Sequence, residues 1–339
     1  MQFELIDPGA DARGRDRCYQ IVAECERLDA PELPVQSARD FAAWLTGFGD
    51  PRRLWLARDE AGEPAGCYVL TLPSRENPDM AVCMLAVRPE RRREGTGTSL
   101  LRHCAREARQ AGRLRLAGEA PDDSPGAAFA AASGGQPGIA FEFRRLVIDA
   151  GLHARLARLR AEAAGRAAGY TLVSWRGATP VRYLAGSAQL SAAMADAPAD
   201  DGVEPQIWDA SRIRNFEQTL LASGQQLCTV AARQEKTGCV AAITQIRIDS
   251  ASPGWAYQGI TAVLPEHRGH RLGLLVKAEM LDRLIAAAPE VRQVRARNAG
   301  ANEHMVAINE QLGFRLSSVR RDWELDLAAV PAAAGHPGC

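Results

Sequence analysis

The pattern of apolar and polar positions passes through the same order twice along the chain. Each half shows two apolar runs joined by a glycine-containing turn, a third apolar run, apolar residues at helical spacing, and then two further strand-like runs around a short helix. This order predicts two domains of the same topology. In the first half the segments are 54–72, 80–87, 96–112, 113–119 and 139–149, and in the second they are 227–248, 254–263, 272–289, 291–298 and 314–327.

The turn between the third apolar run and the long helix is the most similar part of the repeat. Residues 86–97 read AVRPERRREGTG and residues 262–273 read AVLPEHRGHRLG, with six of the twelve aligned positions identical. The first turn of a helix has unpaired N–H groups that attract anions, glycine lets the backbone approach a ligand closely, and arginine pairs with phosphate oxygens. Both turns therefore predict binding of a phosphate-bearing ligand.

The chain length agrees with two domains, since 339 residues exceed the size of an ordinary single core. We expect a first domain over 1–150, a linker over 151–169 that lacks a full apolar face, and a second domain over 170–328. The alanine-rich and glycine-rich end, 329–339, is expected to be a flexible tail.

Composition narrows the class of protein. Apolar residues make up 46% and charged residues 24%, while 41 basic and 41 acidic side chains give no net charge. These values are typical of a soluble globular protein and favour neither nucleic acid nor a membrane as partner. The chain starts without an apolar leader and contains no run long enough for a membrane span, so we expect a cytoplasmic protein, as a monomer or a homodimer.

The cysteines and histidines do not predict a metal site. The eight cysteines form no CxxC pair and have no histidine at metal-ligand spacing. His267 and His270 are three residues apart, but they lie in a turn without a third ligand nearby. We therefore expect buried thiols and no metal cofactor.

The repeated segments resemble the GNAT superfamily of acyl-CoA-dependent N-acetyltransferases. Arg92, Gly95 and Gly97 match the Arg/Gln-x-x-Gly-x-Gly/Ala loop of that family, and 262–273 is similar to a variant of the same loop. Residues 297–314 resemble the following family segment, N-x-x-M-x-x-I-N-x-x-L-G-F. The resemblance covers nearly the whole chain as a tandem GNAT protein, an arrangement shared with the mycothiol synthases.

The resemblance implies an α/β (α+β) fold with two tandem domains, each a mixed, mostly antiparallel sheet flanked by helices. Acetyl-CoA would lie where two central strands splay apart, which in the second domain are 255–263 and 291–298. The residues that would contact the cofactor are Thr261, Ala262, Val263, Arg268, Gly269, His270, Arg271, Leu272, Gly273, Asn298 and Asn302 in the second domain, and Leu85, Ala86, Val87, Arg92, Arg93, Glu94, Gly95, Thr96 and Gly97 in the first.

The two copies depart from the family pattern at different places. The first has both loop glycines, but Asp123 and Ala130 stand where the second has Asn302 and Asn309. The second keeps that segment but has Arg271 at the middle glycine position. Backbone N–H groups still bind when a side chain points outward, whereas polar groups beside the thioester are harder to replace. We therefore expect the second domain to be catalytic and the first to be degenerate.

The chemistry implied is attack of a substrate amine on the thioester, through an oxyanion stabilised by a backbone N–H. Many GNAT enzymes protonate the leaving thiolate with a tyrosine, where this chain has Asn309. Deprotonation of a primary ammonium costs roughly 4–5 kcal/mol at pH 7. Tyr257 and Gln258 are candidates to hold a relaying water, and Glu303 and His304 are candidates to approach from the short helix.

The resulting prediction is an acetyl-CoA-dependent N-acetyltransferase that acts on the primary amine of a small metabolite. The arginine-rich, lysine-poor composition indicates a GC-rich genome, for which natural-product biosynthesis or self-resistance is a fitting role. Two alternatives remain open at this point. One is a protein lysine acetyltransferase, and the other is a non-catalytic acyl-CoA sensor.

Overall fold

The computed structural model describes residues 1–31, 33–196, 200 and 202–331. The chain divides into two compact units. The first unit consists of Met1–Ala140, Gly202–Glu204 and the chain from Arg320 onward, and the second consists of Phe141–Asp201 and Pro205–Val319.

Strands and helices follow the predicted order in both halves. Before residue 150 they are β1 (Gln2–Ile6), α1 (Ala12–Asp29), α2 (Ala38–Thr46), β2 (Arg52–Arg58), β3 (Pro64–Thr71), β4 (Met80–Val87), α3 (Thr96–Gln110), β5 (Arg115–Pro121), α4 (Pro125–Ala132) and β6 (Gln136–Val147). After it they are α5 (Leu152–Ala164), β7 (Tyr170–Arg176), α6 (Val181–Ala192), α7 (Ala210–Ala222), β8 (Gln225–Gln234), β9 (Val240–Asp249), β10 (Trp255–Val263), α8 (Leu272–Ala287), β11 (Gln293–Ala299), α9 (Glu303–Leu312) and β12 (Arg315–Asp326).

Each unit contains a mixed sheet with one parallel pair. In the first unit the order is β1-β2-β3-β4-β5-β12, and β4 and β5 are the parallel neighbours. In the second unit the order is β6-β11-β10-β9-β8-β7, and β10 and β11 are the parallel neighbours. The α/β fold with mixed, mostly antiparallel sheets is therefore confirmed.

The last strand of each sequence half belongs to the sheet of the other half. Residues 141–147 of β6 pair with β11, and residues 320–326 of β12 pair with β5. The compact units therefore differ from the ranges 1–150 and 170–328 that the repeat suggests. Both final strands are 12 residues long, so length alone does not decide which sheet each of them completes.

The segment expected as a linker contains a core helix. Leu152, Leu156, Leu159 and Ala163 of α5 are buried in the second unit, where this helix packs on α8. Their spacing of four, three and four residues puts them on one narrow face, while arginine and glutamate occupy the other. Val330, the second residue of the expected tail 329–339, is buried in the first unit, and residues 332–339 lie outside the described part of the chain.

Helix α8 is the most deeply buried helix that bears on the site. Leucine, valine and methionine side chains surround most of its circumference, so it is apolar nearly all round instead of on one stripe. Its neighbours are α5 on one side and β8, β9 and β10 on the other. A polar side chain that points from α8 towards β10 therefore lies in the interior of the unit.

Candidate active site

The two parallel strand pairs separate part of the way along their length. β4 and β5 are paired only over Met80–Val82 with Arg115–Ala117, and β10 and β11 only over Trp255–Tyr257 with Gln293–Arg295. Beyond these residues the neighbouring strands diverge, and a cavity opens between them in each unit. The expected splaying of the central strands is confirmed in both copies.

The two cavities have similar volumes and different walls. The first cavity, about 1000 Å³, lies between residues 85–87 of β4 and 118–120 of β5, with the aromatic rings of Phe129 and Trp323 on its sides. The second cavity, about 960 Å³, lies between residues 258–263 of β10 and 296–298 of β11. The first is therefore mainly apolar, whereas the amide and hydroxyl side chains of β10 and β11 face the second.

The two glycine-arginine loops have the same backbone conformation although their glycines are at different positions. In the first loop Arg93 (φ 66°) and Gly95 (φ 83°) are left-handed, and in the second Gly269 (φ 86°) and Arg271 (φ 56°) are left-handed. Each loop thus holds one glycine and one arginine at equivalent left-handed positions, in opposite order. Arg271 therefore does not disrupt the turn that leads into α8.

The last glycine of each loop, Gly97 or Gly273, is packed in the same way. A Cβ placed on Gly97 would lie 3.3 Å from the Phe129 ring and 3.7 Å from Val87 Cγ2. A Cβ placed on Gly273 would lie 3.4 Å from Ile308 Cδ1 and 3.6 Å from Val263 Cγ2. In both units glycine lets the first turn of the long helix approach the split strand and the short helix closely.

The first loop has an internal partner for its arginine. Arg92 Nη1 and Nη2 donate to the two carboxylate oxygens of Asp29 at 2.9 and 2.8 Å, and Arg92 Nε donates to the Val87 carbonyl at 3.4 Å. Asp29 also lines the first cavity. A carboxylate thus occupies the fork that a phosphate would use and reduces the positive charge at this wall.

A β-bulge distinguishes the split strand of the second unit. β10 and β9 pair at Gln258↔Ile246 and again at Thr261↔Thr244, so Gly259 and Ile260 face a single residue of β9. The equivalent strand β4 pairs with β3 without a shift from Gly66↔Val87 to Thr71↔Val82. A bulge leaves one residue of the strand outside the ladder, and such bulges are common beside active sites.

Polar side chains gather around this bulge. Gln258 Nε2 donates to the Gln245 carbonyl at 2.8 Å and to Thr244 Oγ1 at 2.9 Å, and the hydroxyls of Thr244 and Thr261 are 2.8 Å apart. Gln258 Oε1 is buried without a hydrogen-bond partner. The second cavity therefore has a fixed hydrogen-bond network and a free acceptor where the strands separate.

The short helix after the second cavity is capped by a residue of the expected segment. Asn302 accepts from the Met305 N–H at 3.2 Å, and Asn309 Nδ2 donates to Asn298 Oδ1 at 2.6 Å. In the first unit Ser124 caps the matching helix, while Asp123 precedes it with φ 59°. The capping position of Asn302 thus corresponds to Ser124, because α4 is shorter than α9.

Most of the sequence-predicted residues line the two cavities, and five do not. Tyr257 lies in the paired part of β10 with the Arg247 guanidinium over its ring, and Asn309 is buried behind Asn298. His270 Nδ1 is 3.1 Å from the Arg166 carbonyl. The five residues absent from the cavity linings are Tyr257, His270, Asn309, Glu94 and Thr96.

Lys277 lines the second cavity and was not among the residues singled out from the sequence. It is 1% exposed, and its Nζ lies 5.5 Å from the centre of the Phe314 ring. Burial lowers the pKa of Lys277 to about 7. The signal was present in the sequence as one lysine inside the apolar run 272–281.

The described chain shows neither a metal cluster nor a membrane helix. Across its described residues no three His, Cys, Asp or Glu side chains are grouped to hold a metal ion. None of the helices assigned there is long and apolar enough to cross a membrane.

Comparison with known proteins places the fold. The profile of the acetyltransferase (GNAT) family matches residues 15–134. A tandem GNAT protein from the clavulanic acid biosynthesis pathway, solved without acetyl-CoA, is 27% identical, with 96% of this chain and 98% of that chain covered and a TM-score of 0.79. A GCN5-related N-acetyltransferase from Sphaerobacter thermophilus shares the fold at 12% identity, with 96% and 95% covered and a TM-score of 0.68. None of the curated proteins matches significantly.

The split sheets, the helix-leading loops and these likenesses define an acyltransferase. Residues 15–134 match the GNAT acetyltransferase family, and the chain over nearly its whole length is similar to a tandem GNAT protein, which supports a tandem GNAT N-acetyltransferase. Enzymes of this family generally use acetyl-CoA and act on small-molecule substrates.

Proposed function

We propose that the second unit transfers the acetyl group of acetyl-CoA to the primary amine of a small metabolite. The observation that carries this assignment is the bulge at Gly259 and Ile260, which the equivalent strand β4 of the first unit lacks over its pairing with β3. A residue outside the ladder has an N–H free to donate into the split between β10 and β11. Such a donor stabilises the oxyanion that forms when an amine attacks a thioester.

Residues that line the second cavity would also bind the cofactor. The N–H groups of residues 269–273 lie at the N-terminus of α8 and would take the pyrophosphate, as helix N-termini do for other anions. The pantetheine arm would run along Thr261–Val263 towards the bulge, with Asn298 and Asn302 on the opposite side of the second cavity. The thioester would then lie beside Gln258 and Thr261.

Direct attack needs the substrate amine in its neutral form. Glu303 and His304 are exposed at the edge of the second cavity, on the first turn of α9. They are the titratable side chains that we place beside an entering ammonium group, to hold it and to accept its proton through water. Tyr257 is not included, because it lies in the paired part of β10.

The first unit would bind acetyl-CoA more weakly and would not transfer its acetyl group. Its β4 has a regular register, and Asp29 occupies the arginine fork of its loop. The likeness to a protein of clavulanic acid biosynthesis supports a role in natural-product biosynthesis or self-resistance. The second unit would then provide the chemistry of a biosynthetic tailoring step.

Matched glycine variants test this assignment. Gly273→Ala places a methyl group 3.4 Å from Ile308, and Gly97→Ala places one 3.3 Å from Phe129, so both perturb equivalent helix turns. We expect kcat/KM with a panel of small primary amines to fall about tenfold for Gly273→Ala, because the added methyl group would weaken about one backbone hydrogen bond to the pyrophosphate, and to stay unchanged for Gly97→Ala. Titration calorimetry with acetyl-CoA and thermal melting would accompany both.

Three results would overturn the proposal. Loss of turnover only in Gly97→Ala would place the chemistry in the first unit. Acetylation of protein lysines in a lysate without turnover of any small amine, read by mass spectrometry, would indicate a protein acetyltransferase. Tight acetyl-CoA binding without transfer to any amine would indicate an acyl-CoA sensor.

A further inference from the structure

Lys277 is a charged side chain in apolar surroundings. It is one of only two lysines in the chain, it lies in the middle of the apolar helix α8, and it lines the second cavity. In the part of the chain that the structure describes, no carboxylate lies within 4.0 Å of its Nζ, and burial is the sole cause of its lowered pKa. Its only described contact with a π system is the Phe314 ring 5.5 Å away. A buried ammonium with no carboxylate partner destabilises a fold, which makes a role in ligand chemistry the better explanation of its presence.

The level of Lys277 along the cavity follows from the strand–turn–helix geometry. Gly273 packs against Val263 at the open end of β10. Because α8 runs back along β10 after the tight turn, four helical residues carry Lys277 roughly 6 Å inward from Gly273. Two strand residues carry Thr261 roughly 7 Å inward from Val263. Lys277 and the bulge network therefore lie at about the same depth.

The first unit shows what the same position looks like without an amine. At the constant offset of 176 residues between the two helices, Lys277 corresponds to Leu101, which lines the first cavity. The other differences between the cavities point the same way, since the bulge and the polar network are also in the second unit. The lysine thus occurs in the same cavity as the other groups suited to acyl transfer.

We propose that Lys277 donates the proton that converts the departing CoA thiolate to the thiol in the second cavity. This inference rests on the proposed function of that cavity. The amine nitrogen of the substrate forms the new C–N bond, and the C–S bond then breaks with its electron pair passing to sulfur. Sulfur takes a proton from the Lys277 ammonium, and the proton lost by the attacking nitrogen restores that ammonium through water.

The placement of Lys277 favours the sulfur over the substrate amine as its partner. At 1% exposure it is reachable only from inside the cavity, where the cofactor arm would lie between it and the open rim. Glu303 and His304 are at that rim instead. An amine whose pKa is close to neutrality suits a donor to a thiolate, since proton transfer is efficient when the donor titrates near the working pH.

The charged groups near Lys277 either contact other side chains or lie along the wall of the second cavity. Glu279 and Asp282 on its own helix pair with Arg160 of α5, and Glu279 also pairs with Arg283. Arg297 of β11 lies over the Phe141 ring. The remaining charged or titratable groups that line the second cavity are His267, Arg268, Arg271, Glu303 and His304.

Three variants of the full chain test the role. Lys277→Met removes the amine and keeps an unbranched apolar side chain, Lys277→Arg keeps a positive charge that does not give up its proton, and Lys236→Met changes the other, exposed lysine as a control. We expect both changes at 277 to lower kcat about 100-fold, the lower end for general acid catalysis, with the Kd of acetyl-CoA changed less than threefold. Lys236→Met should behave as the wild type.

The pH profile separates proton donation from simple charge. Wild-type kcat should rise with pH as the substrate amine, with a pKa of about 10.4, loses its proton, and should level off above about pH 7, where Lys277 becomes neutral and the two effects cancel. In Lys277→Met the rise should continue without this plateau towards about pH 10. Full activity of Lys277→Arg would overturn the proposal in favour of a fixed positive charge, and wild-type kcat in Lys277→Met would overturn it outright.

A spectroscopic measurement tests the same role of Lys277 and does not require the substrate amine to be known. Both proteins would be saturated with CoA, and the thiolate of the bound CoA would be measured by its ultraviolet absorption. We expect more thiolate in the wild type than in Lys277→Met, because the ionisation constant of the bound thiol should be at least tenfold higher in the wild type. Equal thiolate titrations in both proteins would overturn the role of Lys277. Acetylation of Lys277 itself by acetyl-CoA, read by intact mass, would also overturn it. Absence of a CoA site in the second unit by calorimetry would instead refute the proposed function.

Discussion

The two cavities are alike in fold and volume and differ in the chemistry of their walls. Both follow a split parallel strand pair, and both receive the N-terminus of a long helix through a loop with two left-handed residues. The first has a regular strand, a leucine at 101 and an arginine paired with a carboxylate. The second has a bulge, Lys277 and a network of amides and hydroxyls. Duplication thus preserved the frame in both copies, while the groups suited to acyl transfer are together in one.

The largest expected effect concerns the stability of the protein, which a buried lysine at 277 lowers and a leucine, as at the equivalent position 101, does not. With its pKa lowered from 10.5 to about 7, protonated Lys277 destabilises the fold. The penalty is absent above pH 10.5, grows as pH falls towards 7, and is constant below that, reaching on the order of 5 kcal/mol. Lys277→Met should therefore raise the free energy of unfolding most at pH 6 to 7, with a smaller gain at pH 9.5.

Urea denaturation at these two pH values would measure the gain, with Lys236→Met as the exposed control. An equal gain at both pH values would show that Lys277 does not titrate between them in the folded protein. Together with the expected loss of kcat, a gain in stability would place Lys277 among the residues that a fold retains for chemistry.

The bulge is the second point at which the two units can be made alike. Deleting Gly259 leaves Ile260 as the sole partner of Gln245 and gives β10 the regular register of β4. Loss of one oxyanion donor lowers kcat about 100-fold to 1000-fold. We expect that loss in amine acetylation, with acetyl-CoA still bound by calorimetry. Unchanged kcat in a folded deletion variant would contradict the role of the bulge.

A smaller effect should follow from removing the negative charge that pairs with Arg92 in the first loop. Asp29→Asn keeps the shape of the partner of Arg92 and removes its charge. The first cavity should then bind the phosphates of acetyl-CoA a few-fold more tightly, about 1 kcal/mol, as for one exposed charge pair. Calorimetry of the wild type and of Asp29→Asn would show the change as a strengthened second binding event beside the unchanged tighter one, and a weaker first-cavity site would count against the interpretation.

The smallest effect concerns the left-handed residue of the second loop. A side chain in this conformation costs roughly 1–2 kcal/mol, and glycine gives back part of that gain through its freedom in the unfolded chain. Arg271→Gly should therefore raise stability by less than about 1 kcal/mol and leave acetyl-CoA affinity unchanged. The reverse change at the equivalent position, Gly95→Arg, should lower stability. Chemical denaturation of both would compare the two loops directly.

The sequence predicts the parts of the structure that depend on the local pattern of residues. Hairpins and the long helices follow from apolar spacing, and the loops follow from glycine and arginine before a helix, whereas the splitting of the central strands follows from the family resemblance. The exchange of β6 and β12 was missed because pairing partners distant in sequence leave no local signal. The bulge depends on how β9 and β10 align, although a lone Gly259 inside a strand is a hint of one. Lys277 was missed because its burial is set by the elements that surround α8.

The strand exchange sets a condition on how the protein is made. The first unit completes its sheet with residues 320–326, about 200 residues after β5 leaves the ribosome. A nascent chain that already contains the whole first repeat therefore still exposes the edge of β5, a surface on which other chains tend to aggregate. Neither half of the gene would encode a self-sufficient domain, so the two units must mature together. The first copy would then persist because the second cannot be separated from it.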